Sequence, residues 1–175
     1  MDIQKLKEFS APYYRDKDIM HDLWHIELVG KWIDKIIRIG DYKVDCEAIT
    51  YALYFHGFIY SDEEKIRQWL ADNHVCSIDK IIKISWESQR PEIPETLEGK
   101  ILHDAHVLEG GKTYMVVKTL ITGSVRGQSL LETVQYLKKQ VIDHNHCYLP
   151  ETVELCNEMN EYAKKFVDEL ENGIN

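Results

Sequence analysis

HDLWHIELVGKWIDKII, His21 to Ile37, decides the fold class. Its apolar residues Ile26, Val29, Ile33 and Ile36-Ile37 recur at spacings of three and four, which places them on one face of an α-helix. The segment from Ile49 to Phe58 is apolar nearly all round and predicts a buried helix. Ser61 with Glu64 three residues on reads as a capping box that opens a helix through Leu70, and Ile78, Ile81, Ile82 and Ile84 mark another. Pro94 suits the first turn of a helix that presents Leu97, Ile101, Ala105 and Leu108 and is interrupted at Gly110-Gly111. A helix over Thr113 to Ile121 follows, then a second capping box, Ser129 with Glu132, ahead of Val134, Leu137 and Val141. Pro150 opens a last helix with Val153, Cys156, Met159, Ala163, Phe166 and Leu170 as its buried stripe. Alternating, strand-like runs are scarce. The expectation is an all-α, single-domain bundle of eight or nine helices over residues 1–175. Its motif-bearing core spans about 20–140, and a C-terminal packing helix about 150–172.

Composition narrows the function classes. At 175 residues and 44% hydrophobic, the chain can bury a core, so disorder is disfavoured. No apolar run approaches the ~20 residues that span a bilayer. The first residues, Met1-Asp2-Ile3-Gln4-Lys5, lack the basic-then-apolar pattern of a secretory signal, so a cytoplasmic location is expected. The four cysteines, Cys46, Cys76, Cys147 and Cys156, form no C-x-x-C pair and read as reduced thiols. A formal net charge of −9 without a basic stripe argues against a nucleic-acid polymer as partner. It does not argue against a phosphorylated small molecule, because a bound cation reverses the local field. A homodimer is compatible with exposed helices, but no heptad seam predicts one.

The eight histidines matter by position. His21 and His25, four apart at a helix start, share a face. The same spacing occurs in H-E-x-x-H metalloproteases, but Asp22 stands where their glutamate base is needed, which disfavours that chemistry. His56 closes the apolar run Ala52-Leu53-Tyr54-Phe55, where a buried imidazole needs a hydrogen-bond partner or a metal. In LEGKILHDAHVLEGGK, Leu97 to Lys112, the residues His103, Asp104, His106 and Glu109 lie within two helical turns. Asp104 and His106 point roughly 200° apart on a helix, so one ion would not take both.

In order, these clusters resemble the HD-domain superfamily of metal-dependent phosphohydrolases, in its small bacterial branch. HDLWHIELV is similar to the first motif, with His25 at the ligand position. YALYFHGFIY is similar to the second, with His56 as its histidine, and ETLEGKILHDAHVLEGG to the third. LPETVELCNEMNEYAKKF resembles the branch's closing helix. Two positions depart. The paired aspartate of the second motif is Gly57 here, and the third motif's ligand aspartate aligns with His106, with Asp104 the contender for that place.

The resemblance implies a metal set of His25, His56 and His106. Without the carboxylate that Gly57 replaces, two adjacent cations would repel, so one ion is favoured. Water, Asp22 or Asp104 is left to fill that place. Three neutral imidazoles favour zinc, iron, nickel or copper over magnesium, with manganese also compatible. The implied activity is hydrolysis of a small phosphorylated metabolite or nucleotide by metal-activated water. Asp104, Glu109 and Asp22 are then candidates for catalysis. Lys112, Arg126, Glu87 and Gln89 are candidates for substrate binding, with Ser88 beside them. Arg126 lies in TGSVRGQS, where Gly123 and Gly127 flank an expected turn that could cradle an anion. Two alternatives stay open. One is a ligand-binding protein on a catalytically degenerate HD scaffold. The other is an iron-dependent, oxygenase-like relative, for which His74 is one extra ligand candidate and the second, expected near Trp86, is absent.

Overall fold

A computed structural model describes residues 1–89, 92–142 and 144–174. The described residues form helices and no strand: α1 (Ile3–Arg15), α2 (Leu23–Gly40), α3 (Cys46–Phe55), α4 (Ile59–Asp72), α5 (Ile78–Glu87), α6 (Leu97–Val107), α7 (Gly111–Val125), α8 (Leu130–Tyr136) and α9 (Pro150–Ile174). A single π-helical turn, Leu137–Val141, extends α8. None of the described helices is long and apolar enough to cross a membrane.

Short polar side chains set most helix starts. Asp2, Asp22, Asp45, Thr96 and Ser129 each accept a hydrogen bond from a backbone N–H of the first turn they precede. Ser129 and Glu132 form the expected reciprocal box. Ser61 does not cap. α4 begins two residues earlier at Ile59, Ser61 Oγ donates to the Phe58 carbonyl, and the helix kinks at Asp62. Pro94 lies outside α6, which Thr96 starts. Gly110 precedes α7 with φ 64°, a left-handed conformation that favours glycine and breaks α6 from α7. The expected helix over Thr113 to Ile121 runs longer, to Val125. Gly123 therefore lies inside α7, not beside a turn, and a Cβ there would stand 2.2 Å from Thr133 Oγ1 of α8. On α9 the stripe of Cys156, Met159 and Ala163 is buried, continued by Val167, while Val153 is 40% exposed.

Two apolar clusters make up the interior. The larger unites the inward faces of α1 to α6 around Phe55, Ile36, Ile66 and Ile101. The smaller joins Leu108 to α7, α8 and α9 through Met115, Val134, Leu137 and Met159. Trp32 packs against both. α6 runs from one cluster to the other, so its last turn carries side chains to the seam between them. The histidines meet at that seam.

Candidate metal centre

His25, His56 and His106 come from α2, the end of α3 and α6, and offer ligand atoms all within 4.8 Å of one another. Each pair of rings is 5.1 Å apart, centroid to centroid. His25 and His56 are buried, and His106 is half-buried and faces a cavity. Periodicity explains the meeting. His25 shares the buried face of α2 with Val29 and Ile33, and His56 caps α3 at the end of its apolar run.

Hydrogen bonds fix the tautomers of two rings. His56 Nδ1 lies 2.5 Å from the Leu53 carbonyl oxygen, which can only accept, so Nδ1 carries the proton. His25 Nδ1 lies 2.7 Å from Glu109 Oε1, and the carboxylate draws the proton to Nδ1 there too. Burial pushes the pKa of His56 down to about 4 and lowers that of His25 further, helped by His56 and Lys118, so both rings are neutral. Burial, His56 and His25 likewise hold His106 well below the usual imidazole range. Both Nε2 atoms are then bare, and they face each other 3.0 Å apart. Two lone pairs at that distance repel unless a cation lies between them. Three converging imidazoles, two of them with the Nδ1–H bonded outward, form a donor set that could hold a metal ion.

Around this centre the expected residues divide. Glu109 is 3% exposed and bridges His25 to Lys118, whose Nζ lies 2.5 Å from Glu109 Oε2 and 3.4 Å from His25 Nδ1. Tyr114 donates to Glu109 Oε1 at 3.1 Å. Burial raises the carboxyl's pKa, and Lys118 and Tyr114 pull it back down. Lys118 was not legible in the sequence, because nothing in α7's pattern marks it. Only tertiary packing brings it beside Glu109 and His25.

Asp104 and His106 are separated as their 200° phase requires. Asp104 is fully buried and faces α9. It accepts from the Tyr148 and Leu149 backbone N–H groups at 2.9 Å and from Thr152 Oγ1 at 2.6 Å, and its Oδ1 lies 3.1 Å from His103 Nδ1. That carboxylate ties down the start of α9, and the expected proton carrier is thereby a latch. Asp22 is the cap of α2, accepting from Trp24 N at 2.8 Å. Glu87 accepts from the Glu95 and Thr96 backbone N–H groups and from the Thr96 hydroxyl, holding the entry to α6. Lys112 lies 5.8 Å from the Tyr162 ring, in a separate cavity beside α9. His74 adopts φ 57° between α4 and α5 and lines another distant cavity, so it adds no ligand to the centre.

The place left by Gly57 is filled from α1. A Cβ at Gly57 would lie 2.5 Å from the Tyr14 hydroxyl, which accepts from Gly57 N at 3.2 Å and donates to the Tyr54 carbonyl at 2.9 Å. Lys17 Nζ donates to the Gly57 carbonyl at 2.6 Å. Neither Asp22 nor Asp104 reaches in.

A cavity of about 290 Å³ opens from His106. Glu109, Lys118, His21 and Arg126 line its charged side, and Gln89, Gln128 and Asn145 are among its polar walls. Gln89 Nε2 donates to the His56 carbonyl at 2.7 Å. His21 Nδ1 is 2.8 Å from Asp18 Oδ1. Helical spacing alone pairs His21 with His25 and gives no signal for this partner.

No protein-family model matches this sequence, and no curated protein matches it significantly. Among solved structures, the fold is similar to that of Bacillus subtilis YpgQ, crystallised in complex with ADP. The TM-score is 0.76 with 16% sequence identity, over 98% of this chain and 97% of that one. At that identity the likeness is one of fold: the whole described chain shares the helical architecture of YpgQ.

Proposed function

We propose that this chain is a metal-dependent hydrolase of a small phosphorylated metabolite or nucleotide, with His25, His56 and His106 as the metal ligands. The observation that carries the reading is the pair of bare Nε2 atoms 3.0 Å apart, each backed by a committed Nδ1–H. The ADP bound by the similar YpgQ supports a nucleotide-class ligand. A divalent ion held here supplies Lewis acidity and an acidified water.

The chain's own residues do the rest. Arg126 extends from the end of α7 at the cavity rim and suits phosphate charge, a role for which Lys112 is too distant. Lys118 adds a second cation on the cavity wall. Asp18 orients His21 and burial lowers the ring's pKa, which suits the imidazole to take a proton from the attacking water. Asn145, Gln128 and Gln89 offer donors and acceptors to the organic part of the ligand.

The test is metal analysis of the purified protein with turnover across a panel of phosphate esters and nucleotides. One equivalent of a transition metal and phosphate release, both abolished in His25→Ala, are expected. Turnover that survives loss of the histidines would overturn the assignment. Stoichiometric metal and tight nucleotide binding without turnover would favour the binding-protein alternative, which the Tyr14 hydroxyl in the missing carboxylate's place supports.

A further inference from the structure

We infer that Glu109 and Lys118 set the metal affinity of the histidine centre from outside it, with opposite signs: Glu109 strengthens the hold on the cation and Lys118 weakens it. The inference rests on the metal-ligand reading above and assigns these two residues as positioning groups. It begins from three side chains on three elements in one line: His25 of α2, Glu109 after α6 and Lys118 of α7, joined at 2.7 and 2.5 Å.

The carboxylate has two effects. It accepts from Nδ1–H, so the ring can turn only its Nε2 to the other histidines. It also adds electron density to the imidazole, making Nε2 a better donor. Lys118 has two effects as well, and they conflict. Its ammonium pairs with the buried carboxylate and holds it aimed at His25. It also places a positive charge 3.4 Å from His25 Nδ1, where it repels any cation the histidines hold. Lys118 lines the cavity, so the same charge faces an anionic ligand. The arrangement exchanges some metal affinity for a cation beside the substrate's path.

A packing role alone predicts that removing either side chain loosens the centre. The charge argument predicts a split. Zinc affinity is measured by competition with a chromophoric chelator at fixed neutral pH and ionic strength, for the unaltered chain, Glu109→Gln and Lys118→Met. Glu109→Gln is expected to weaken zinc binding by about 10–100-fold. Lys118→Met is expected to tighten it by about tenfold. Unchanged or weaker binding in Lys118→Met overturns the inference, as does unimpaired binding in Glu109→Gln. If the unaltered chain takes up no zinc, the metal reading fails with it. A second measurement needs no variant: histidine nitrogen NMR of the zinc-free protein should show His25 as the Nδ1–H tautomer. The Nε2–H tautomer would overturn the inference.

Discussion

At the scale of single residues, the centre depends on where two protons and one hydroxyl sit. His56→Gln should abolish high-affinity zinc uptake, because it removes one of the facing Nε2 atoms and the group bonded to the Leu53 carbonyl. Elemental analysis after dialysis reads the outcome. Gly57→Ala should cost about 1–3 kcal/mol, because the new methyl meets a fully enclosed tyrosine that cannot swing away. Urea unfolding measures it, and an unchanged midpoint would show that Tyr14 yields. The clustering of His25, His56 and His106 was legible because helical phase brings each to an inward face, and because the resemblance ranked them above His103 and His74. Lys118, the Tyr14 plug and the His21–Asp18 pair were not. Each depends on contacts that local pattern does not encode, across 43 residues in the case of Tyr14 and Gly57.

At the scale of elements, α6 is the organising helix. Glu87 anchors its entry, Asp104 on one face holds the start of α9, and His106 on another face reaches the centre. Asp104→Ala should lower stability by about 2–4 kcal/mol, because it leaves the backbone donors of Tyr148 and Leu149 without their acceptor and removes one partner of the Thr152 hydroxyl. Amide exchange should quicken at Tyr148 and Leu149 while zinc stoichiometry stays unchanged. Loss of zinc with intact α9 protection would instead make Asp104 a ligand. Sequence periodicity located α2, α5 and the start of α9 well, since their inward faces are apolar stripes, whereas α3 lies three residues earlier than its apolar run, because Asp45 caps it and it ends at Phe55. It misjudged the start of α4, where Ser61 and Glu64 imitate a cap inside a kinked helix. It also left α1 unread, although Leu6 and Tyr14 of that helix are buried in the larger core.

At the scale of the whole molecule, the neutral histidines make stability depend on pH and on metal. In the unfolded chain these rings take up protons near the ordinary pKa of ~6.5, whereas in the folded, metal-free chain His56 does so only near 4, His25 lower still, and His106 well below the ordinary range. The unfolded state therefore binds more protons across that window. Stability is lost as pH falls below about 6.5 and regained as it rises. Thermal melts of chelator-treated protein should show this slope, and a flat profile would contradict neutral rings. Saturating zinc should raise the melting temperature at neutral pH. The gain is about 2.7 kcal/mol at a hundredfold excess over the dissociation constant, because the cation binds only where the three helices have assembled.

The tyrosine behind position 57 also constrains which substitutions the chain can accept. An acidic side chain cannot enter at Gly57 while Tyr14 keeps its hydroxyl there, and shortening Tyr14 first would strip Gly57 N and the Tyr54 carbonyl of their partner. Either change alone is penalised and only the pair is tolerable, so the two sites are epistatic. Placing a carboxylate at this position requires two coordinated changes, one on α1 and one in the turn between α3 and α4.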